Sequence, residues 1–247
     1  PKDWEVWLPQ GVKPPKDVSV VPWTQMVTTT VQPVLEVLNG AQDLLGPLQI
    51  EAPQGMKWKG GVFQGPFLLQ EDAYGSWTLI EKVPLEQYLR GVVPHEIGAG
   101  SSLIALSAQT VLARTWAIAN KHRFVVDGYH LCSDTQCQVY RDPRQANSVV
   151  VDAIKNTEGR VLSWNGKPIN AFYHASNGGI MASNAEAWAT DALPYFRVKI
   201  DGSPGWAQKF ALPLQRKSLL LTLLNQPDGA YGKKHSLFRW TRTFTAA

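Results

Sequence analysis

The stretch VPLEQYLRGVVPHEIGAGSSLIALSAQTVLARTWAIANK, from Val83 to Lys121, decides the fold. It opens on an apolar-patterned segment, Pro84 to Val93. It then passes through a Pro/Gly-bounded turn, Pro94-His95-Glu96-Ile97-Gly98-Ala99-Gly100. The pattern after the turn predicts a long helix. Ser101 or Ser102 can cap it, because a serine oxygen accepts an orphan N–H of the first turn. Leu103, Leu106, Val111 and Ile118 recur at helical spacing and are expected to face a core. Ser107, Thr110, Arg114 and Lys121 fall along another stripe of the same helix. Glu96 therefore sits in a turn just before a helix that can present an arginine. A carboxylate on a loop held by a buried helix suits proton chemistry.

Outward from this stretch the pattern changes. Residues 1–53 begin as a Pro/Lys/Asp-rich arm, with strands expected over Val18–Val21 and Met26–Val31 and an ambiguous apolar run over Val34–Leu45. Gln54 to Lys82 reads as a meander of short strands with turns at Gly60-Gly61, Gly65-Pro66 and Gly75-Ser76. After the central helix, Phe124 to Tyr140 is loop-rich. Asn147 to Gly159 reads as a second helix stopped by glycine. Arg160–Trp164 and Ile169–Tyr173 read as a hairpin around the type I′ signal Asn165-Gly166. The return strand ends in a polar turn, His174 to Gly179. Further on, Arg197–Ile200, Trp206–Phe210 and Phe238–Phe244 are expected as strands and Leu212–Leu224 as a helix. The expected architecture is α+β: a β-rich lead-in, one long central helix, and hairpins forming a groove that holds Glu96. The expected division is an N-terminal arm with short strands at 1–53, a core domain at 54–204, and an α/β extension of the same module at 205–247.

Four blocks in this order resemble the SpoIID/LytB family of peptidoglycan-active proteins. They are P-L-E-x-Y-L-x-G-V-V-x-x-E (Pro84–Glu96), A-L-x-A-Q-T-x-x-A-R-T-W-A (Ala105–Ala117), C-Q-V-Y (Cys137–Tyr140), and A-F-Y-H-A-S-N-G-G followed by E-A-W (Ala171–Trp188). The resemblance covers roughly Ile80 to Gly202. It implies a SpoIID-like fold and makes Glu96 the catalytic residue of a lytic transglycosylase acting on glycan strands stripped of their stem peptides. The sequence departs from the family pattern after the glutamate. Ile97 and Gly98-Ala99-Gly100 stand where many relatives have a methionine and a longer polar turn.

The residues support the same chemistry. Ordinary glycosidases need two carboxylates. A single glutamate suffices when the muramic acid 6-hydroxyl attacks its own anomeric carbon, because the same group protonates the leaving oxygen and then takes the hydroxyl proton. Arg114, in an otherwise apolar segment, needs a partner or a cleft: Glu96, substrate oxygens, or a structural salt bridge. Gln109 is a weaker candidate of the same kind. Gln138 and Tyr140 alternate, so on a strand they would share a face and suit sugar hydroxyls. His174, Ser176 and Asn177 read as substrate-binding or supporting groups. No G-x-S-x-G elbow supports a Ser–His hydrolase. Cys132 and Cys137, the only cysteines, can close a small disulfide. They can also join His130 in a structural zinc site of the kind some SpoIID relatives carry. No cofactor is required for the chemistry.

Composition excludes other classes. With 44% hydrophobic and 18% charged residues the chain is an ordinary globular protein. Its net charge of +4 favours acidic polymers such as wall glycans, and it lacks any nucleic-acid motif. Ten tryptophans serve either packing or sugar stacking. No hydrophobic run approaches the ~20 residues of a transmembrane helix. The expected setting is extracytoplasmic, with a signal or anchor removed. The expected partners are peptidoglycan glycan strands and, in the rival reading of a non-catalytic LytB-like module, a cell-wall amidase.

Overall fold

Glycine and proline punctuate residues 47–83 every few positions, and the backbone there folds into short antiparallel pairs. The computed structural model of the protein describes residues 6–7 and 47–244, and its chain divides into two units, 1–172 and 173–247. That division falls inside the 54–204 core domain expected from sequence.

The first unit contains β1 (Val6–Trp7), β2 (Leu48–Ile50), β3 (Met56–Trp58), β4 (Gly61–Phe63), β5 (Phe67–Glu71) and β6 (Trp77–Glu81). The turn of the β3–β4 hairpin, Lys59-Gly60, has φ of 43° and 81°, the doubly positive type I′ geometry that matches strand twist. β2, β5 and β6 form an antiparallel sheet in the order β2-β5-β6. The lead-in is thus a meander, as expected. The elements expected over Val18–Val21, Met26–Val31 and Val34–Leu45 lie outside the described residues.

Three helices build the core. They are α1 (Leu85–Val93), α2 (Leu103–Asn120) and α3 (Ser148–Asn156). Ser102 caps α2 by accepting the Ala105 N–H at 3.3 Å, and Asn147 caps α3 by accepting the Val150 N–H at 3.0 Å. Leu89, Val92, Leu106, Ala113, Val150 and Ala153 are withdrawn from solvent between them. Leu103 does not join this core and is 42% exposed. A helical side chain leans over the turn before it, and Leu103 has no such turn. After α3, β7 (Val161–Trp164) and β8 (Lys167–Pro168) pair around Asn165-Gly166, whose φ values of 49° and 74° confirm the I′ turn. β1 joins β7 in parallel. The return strand is Lys167–Pro168; the expected run Ile169–Tyr173 forms no strand, and only its Ile169 N–H still bonds the Leu162 carbonyl, at 3.1 Å.

Arg114 is the hub of this unit. Its side chain is fully buried, and its Nε and Nη2 donate to both oxygens of Glu86 at 2.8 and 2.7 Å. Its Nη1 donates to the Arg160 carbonyl at 3.1 Å, and Nη2 reaches the Ile154 carbonyl at 3.5 Å. One guanidinium on α2 thereby fixes the first turn of α1, the last turn of α3 and the entry to β7. Both charges suit their helix ends, since an acid favours an N-terminus and a cation a C-terminus.

The second unit holds β9 (Ile180–Met181), α4 (Asn184–Ala187), β10 (Lys199–Ile200), α5 (Pro204–Ala207) and α6 (Lys217–Asn225), with β9 and β10 antiparallel. Its core is Ile200, Trp206, Phe210, Leu223, Ala230 and Phe238. Three expectations are corrected here. Trp206–Phe210 is not a strand: Trp206 lies in the helical turn α5, where Ser203 O accepts from Trp206 and Ala207, and the four-residue spacing of the two aromatics is helical. Phe238–Phe244 forms no strand, and Phe238 instead anchors the segment in the core. The helix expected from Leu212 starts at Lys217, because Pro213 cannot continue a helical ladder.

Arg114→Ala should lower stability by about 3–5 kcal/mol, because it strands the Glu86 charge at a partly buried site. Urea unfolding checks this. Arg114→Lys should recover only part of the loss, because an ammonium cannot match the forked pairing.

Candidate functional site

Proline shapes the backbone at Glu96. Pro94 has no N–H to give to the α-helical ladder after α1. The chain widens there into a π-helical turn, Pro94–Gly98, which Gly98 closes at φ +87°. Glu96 rides on this turn, half-buried. Its Oε1 accepts the Val139 N–H at 2.8 Å, and its Oε2 has no hydrogen-bond partner among the described residues.

The side chains on either side of Val139 hold that N–H in place. Gln138 is 1% exposed; its Oε1 accepts from the Tyr88 hydroxyl at 3.1 Å and its Nε2 donates to the Ala113 carbonyl at 3.2 Å. The Tyr140 hydroxyl donates to Glu81 Oε2 at 2.8 Å, and its ring stacks on Tyr88 with centroids 5.1 Å apart. The Arg141 N–H donates to the Gly91 carbonyl at 3.0 Å. Gly91 has to be glycine, because a Cβ would overlap the Tyr140 ring. The Cys132–Cys137 disulfide, with Cα atoms 5.7 Å apart, closes the loop just before this run. The loop thus becomes a rigid clamp on one carboxylate oxygen.

Beside this turn the first unit contains a cleft of about 1060 Å³. Phe63, Tyr88, Tyr129 and Tyr140 form its aromatic walls, and Lys59 and Arg141 add charge. His95 lines the cleft, while its neighbour Glu96 is not among the lining residues. The π turn directs the adjacent imidazole into this cleft. Burial and, after it, the Arg141 charge push the His95 pKa down, so the ring is neutral near pH 7, and its buried Nε2 has no partner among the described residues. Burial and the Glu81 charge push the Tyr140 phenol up, so it stays a hydrogen-bond donor. Asp142 accepts the Val62 N–H at 3.0 Å and pairs with Arg144 at 2.6 Å. The Arg144 bond is the main reason its pKa is lowered to about 2.

The residues singled out from sequence part company here. Arg114 does not reach Glu96 or open space: it is spent on Glu86, because the 28-residue separation places α1's first turn beside it. Gln109 is only 7% exposed on α2, and its Nε2 has no partner among the described residues. Gln138 and Tyr140 lie on no strand, and both turn inward. His174, Ser176 and Asn177 belong to the second unit. There His174 is exposed, Ser176 Oγ accepts the Gly178 N–H, and Asn177 donates to Asp201 at 2.7 Å and accepts the Gly179 N–H at 2.9 Å. Cys132 and Cys137 are joined by a disulfide in this structure, and no group of three metal-ligating side chains occurs among the described residues. Sequence reasoning did not assign Glu86, His95 or Val139. Glu86 stands inside the P-L-E block and His95 beside the glutamate. Val139 acts through its backbone and leaves no side-chain signal.

Replacing Cys132 and Cys137 by serine should cost about 2 kcal/mol in thermal or urea unfolding, from the freed loop entropy. Asp142 supports a pH test. Its folded pKa lies below the unfolded value, so its contribution is complete above 3.8 and is lost as pH falls toward about 2. Asp142→Asn should lower the urea midpoint at pH 7 and flatten its decline through that window.

Comparison with known proteins bears on this geometry. Residues 73–164 match the family model described as "SpoIID: Stage II sporulation protein". The chain is 40% identical over 138 residues to the "Amidase enhancer" of Bacillus subtilis, covering 54% of this chain and 18% of that protein. It is 34% identical over 134 residues to "Stage II sporulation protein D" of Bacillus subtilis, covering 48% of this chain and 38% of that protein. A protein of the same name from Bacillus amyloliquefaciens is 35% identical over 135 residues, with the same coverage of 48% and 38%. The chain thus spans less than half the length of these curated relatives.

Proposed function

Since the chain belongs to the SpoIID/LytB family, its SpoIID domain lying at residues 73–164, we propose that it is a peptidoglycan lytic transglycosylase with Glu96 as its acid/base. The family supports a cell-wall role. The finer reading rests on one observation: Glu96 is clamped through Oε1 by the Val139 N–H while Oε2 remains available for a proton. The substrate is a glycan strand stripped of its stem peptides. Glu96, protonated, gives its proton to the glycosidic oxygen, and the bond from that oxygen to the muramic acid anomeric carbon breaks. The 6-hydroxyl of the same sugar then bonds to that carbon, and its proton returns to Glu96. No water is consumed, and the product ends in 1,6-anhydromuramic acid. A protein handling this polymer works outside the cytoplasm. Among the described residues no helix is long and apolar enough to cross a membrane.

A second reading is carried by the 40% identity to the amidase enhancer: a glycan-binding module that stimulates a partner amidase without cutting glycan itself. Product analysis separates the two. Denuded glycan incubated with the protein should yield anhydromuramic ends detectable by mass spectrometry. Glu96→Gln, whose amide oxygen can still accept from Val139, should lower their rate at least ~100-fold without unfolding the protein. Stimulation of an amidase with no anhydro ends from the wild type would establish the second reading, and reducing ends would mean hydrolysis.

A further inference from the structure

The charge of the chain is divided unevenly. Residues 1–172 hold fifteen Lys or Arg against sixteen Asp or Glu, while residues 173–247 hold nine against four. The basic excess of the chain, +4 in all, therefore resides in the second unit. All nine of its Lys and Arg are exposed. Three of its acids are already engaged: Glu186 caps α4 through Ser183, Asp201 accepts from Asn177, and Asp228 pairs with Lys233.

The excess concentrates in residues 231–244, YGKKHSLFRWTRTF, which contain four Lys or Arg and no Asp or Glu. This strip is firmly anchored. Phe238 is 5% exposed within the unit's core, and Arg239 donates to the carbonyls of Gly178 at 2.7 Å and Leu223 at 3.1 Å. It thereby clasps the turn that carries Ser176 and Asn177. Beyond the anchor, Trp240 and Phe244 are 73% and 77% exposed, and the Arg242 guanidinium lies 5.2 Å from the Phe244 ring centroid. Lys234 and Tyr231 are exposed in the same segment.

We infer that this strip is a second binding surface for the glycan, one that takes an anionic sugar polymer whose muramic acids bear free lactyl carboxylates. It rests on the substrate class proposed above but needs no chemistry at Glu96. Removal of each stem peptide uncovers a carboxylate, which the Lys and Arg of the strip match in charge. Sugar rings have flat apolar faces, which exposed tryptophan and phenylalanine rings can cover. A polymer with both features uses both parts of the strip. A polyol phosphate would use only the cations. An anionic membrane is better met by an amphipathic helix with cations and rings on opposite faces; here no residue of 231–244 is helical, and cations and rings alternate along the chain.

The test compares the wild type with Lys234→Ser/Trp240→Ala/Arg242→Ser, leaving Phe238 and Arg239 untouched because they hold the fold. Each is co-sedimented with denuded glycan, with the same glycan after carboxyl amidation, and with phosphatidylglycerol vesicles. The triple variant should bind denuded glycan about tenfold more weakly or worse, and wild-type binding should weaken as salt screens the charges. Amidated glycan should bind the wild type and the charge-only variant Lys234→Ser/Arg242→Ser alike. The charge-only variant Lys234→Ser/Arg242→Ser should show an intermediate loss. An unchanged thermal midpoint confirms folding, and the amidated-glycan comparison needs no variant. Equal binding of denuded glycan by wild type and triple variant, equal wild-type binding of the native and amidated glycans, or a preference for vesicles would each overturn the inference. Anhydro-end analysis of the same samples keeps the two readings apart. A wild type that binds through the strip without cleaving retains this surface and loses the transglycosylase; one that cleaves with no dependence on the strip does the reverse.

Discussion

The bidentate pair between Arg114 and Glu86 is the constraint on which the first unit depends. A guanidinium fully removed from water is tolerable only when its nitrogens are paired, and here a carboxylate and two main-chain carbonyls accept from all three. The partners come from α1, from the end of α3 and from the residue before β7, so one side chain on α2 sets the spacing of its neighbours. The apolar layer of Leu89, Val92, Leu106, Ala113 and Val150 gives the helices a reason to associate but is not directional. The ion pair supplies the register.

That register matters because the carboxylate of interest lies at the end of α1. Pro94 breaks the α-helical ladder, and the π turn carries Glu96 out of the core on a short, well-defined stalk. The other half of the clamp arrives from far along the chain. Gln138 and Tyr140 plug into α1, α2 and β6 and leave the Val139 N–H between them with one direction to point. Buried amides and phenols normally invite a ligand reading, yet here their donors and acceptors are used up holding a backbone. Precise placement of a single acid is what a one-carboxylate mechanism demands, and rigid supports provide it.

The two units differ in chemistry as well as in fold. The first is nearly neutral, offers an aromatic cleft and carries the acid. The second is basic and presents exposed rings on a strip pinned to its core. This division suits the proposed glycan substrate, whose recognition would spread over more surface than the reacting bond needs.

Much of this was legible in the residues. The order of blocks pointed to the family. Helical spacing and serine or asparagine caps placed α2 and α3, and Asn165-Gly166 placed its hairpin turn, because such signals act over a few residues and depend on local backbone preference. The same local logic failed where a distant neighbour decided the outcome. Trp206–Phe210 has the composition of a strand, but Pro204 and a core waiting at four-residue spacing made a helical turn. Arg114 stood out as an arginine needing a partner, and sequence could not choose among Glu86, Glu96 and substrate. Sequence by itself determined the resemblance to the SpoIID/LytB family, the helices α2 and α3, and the presence of one acid in a Pro/Gly-bounded turn. Only the tertiary structure decided that Arg114 is spent on Glu86, that Gln138 and Tyr140 face inward, and that a main-chain N–H grips Glu96, because these outcomes are set by contacts between segments 25 to 59 residues apart, which no local pattern encodes.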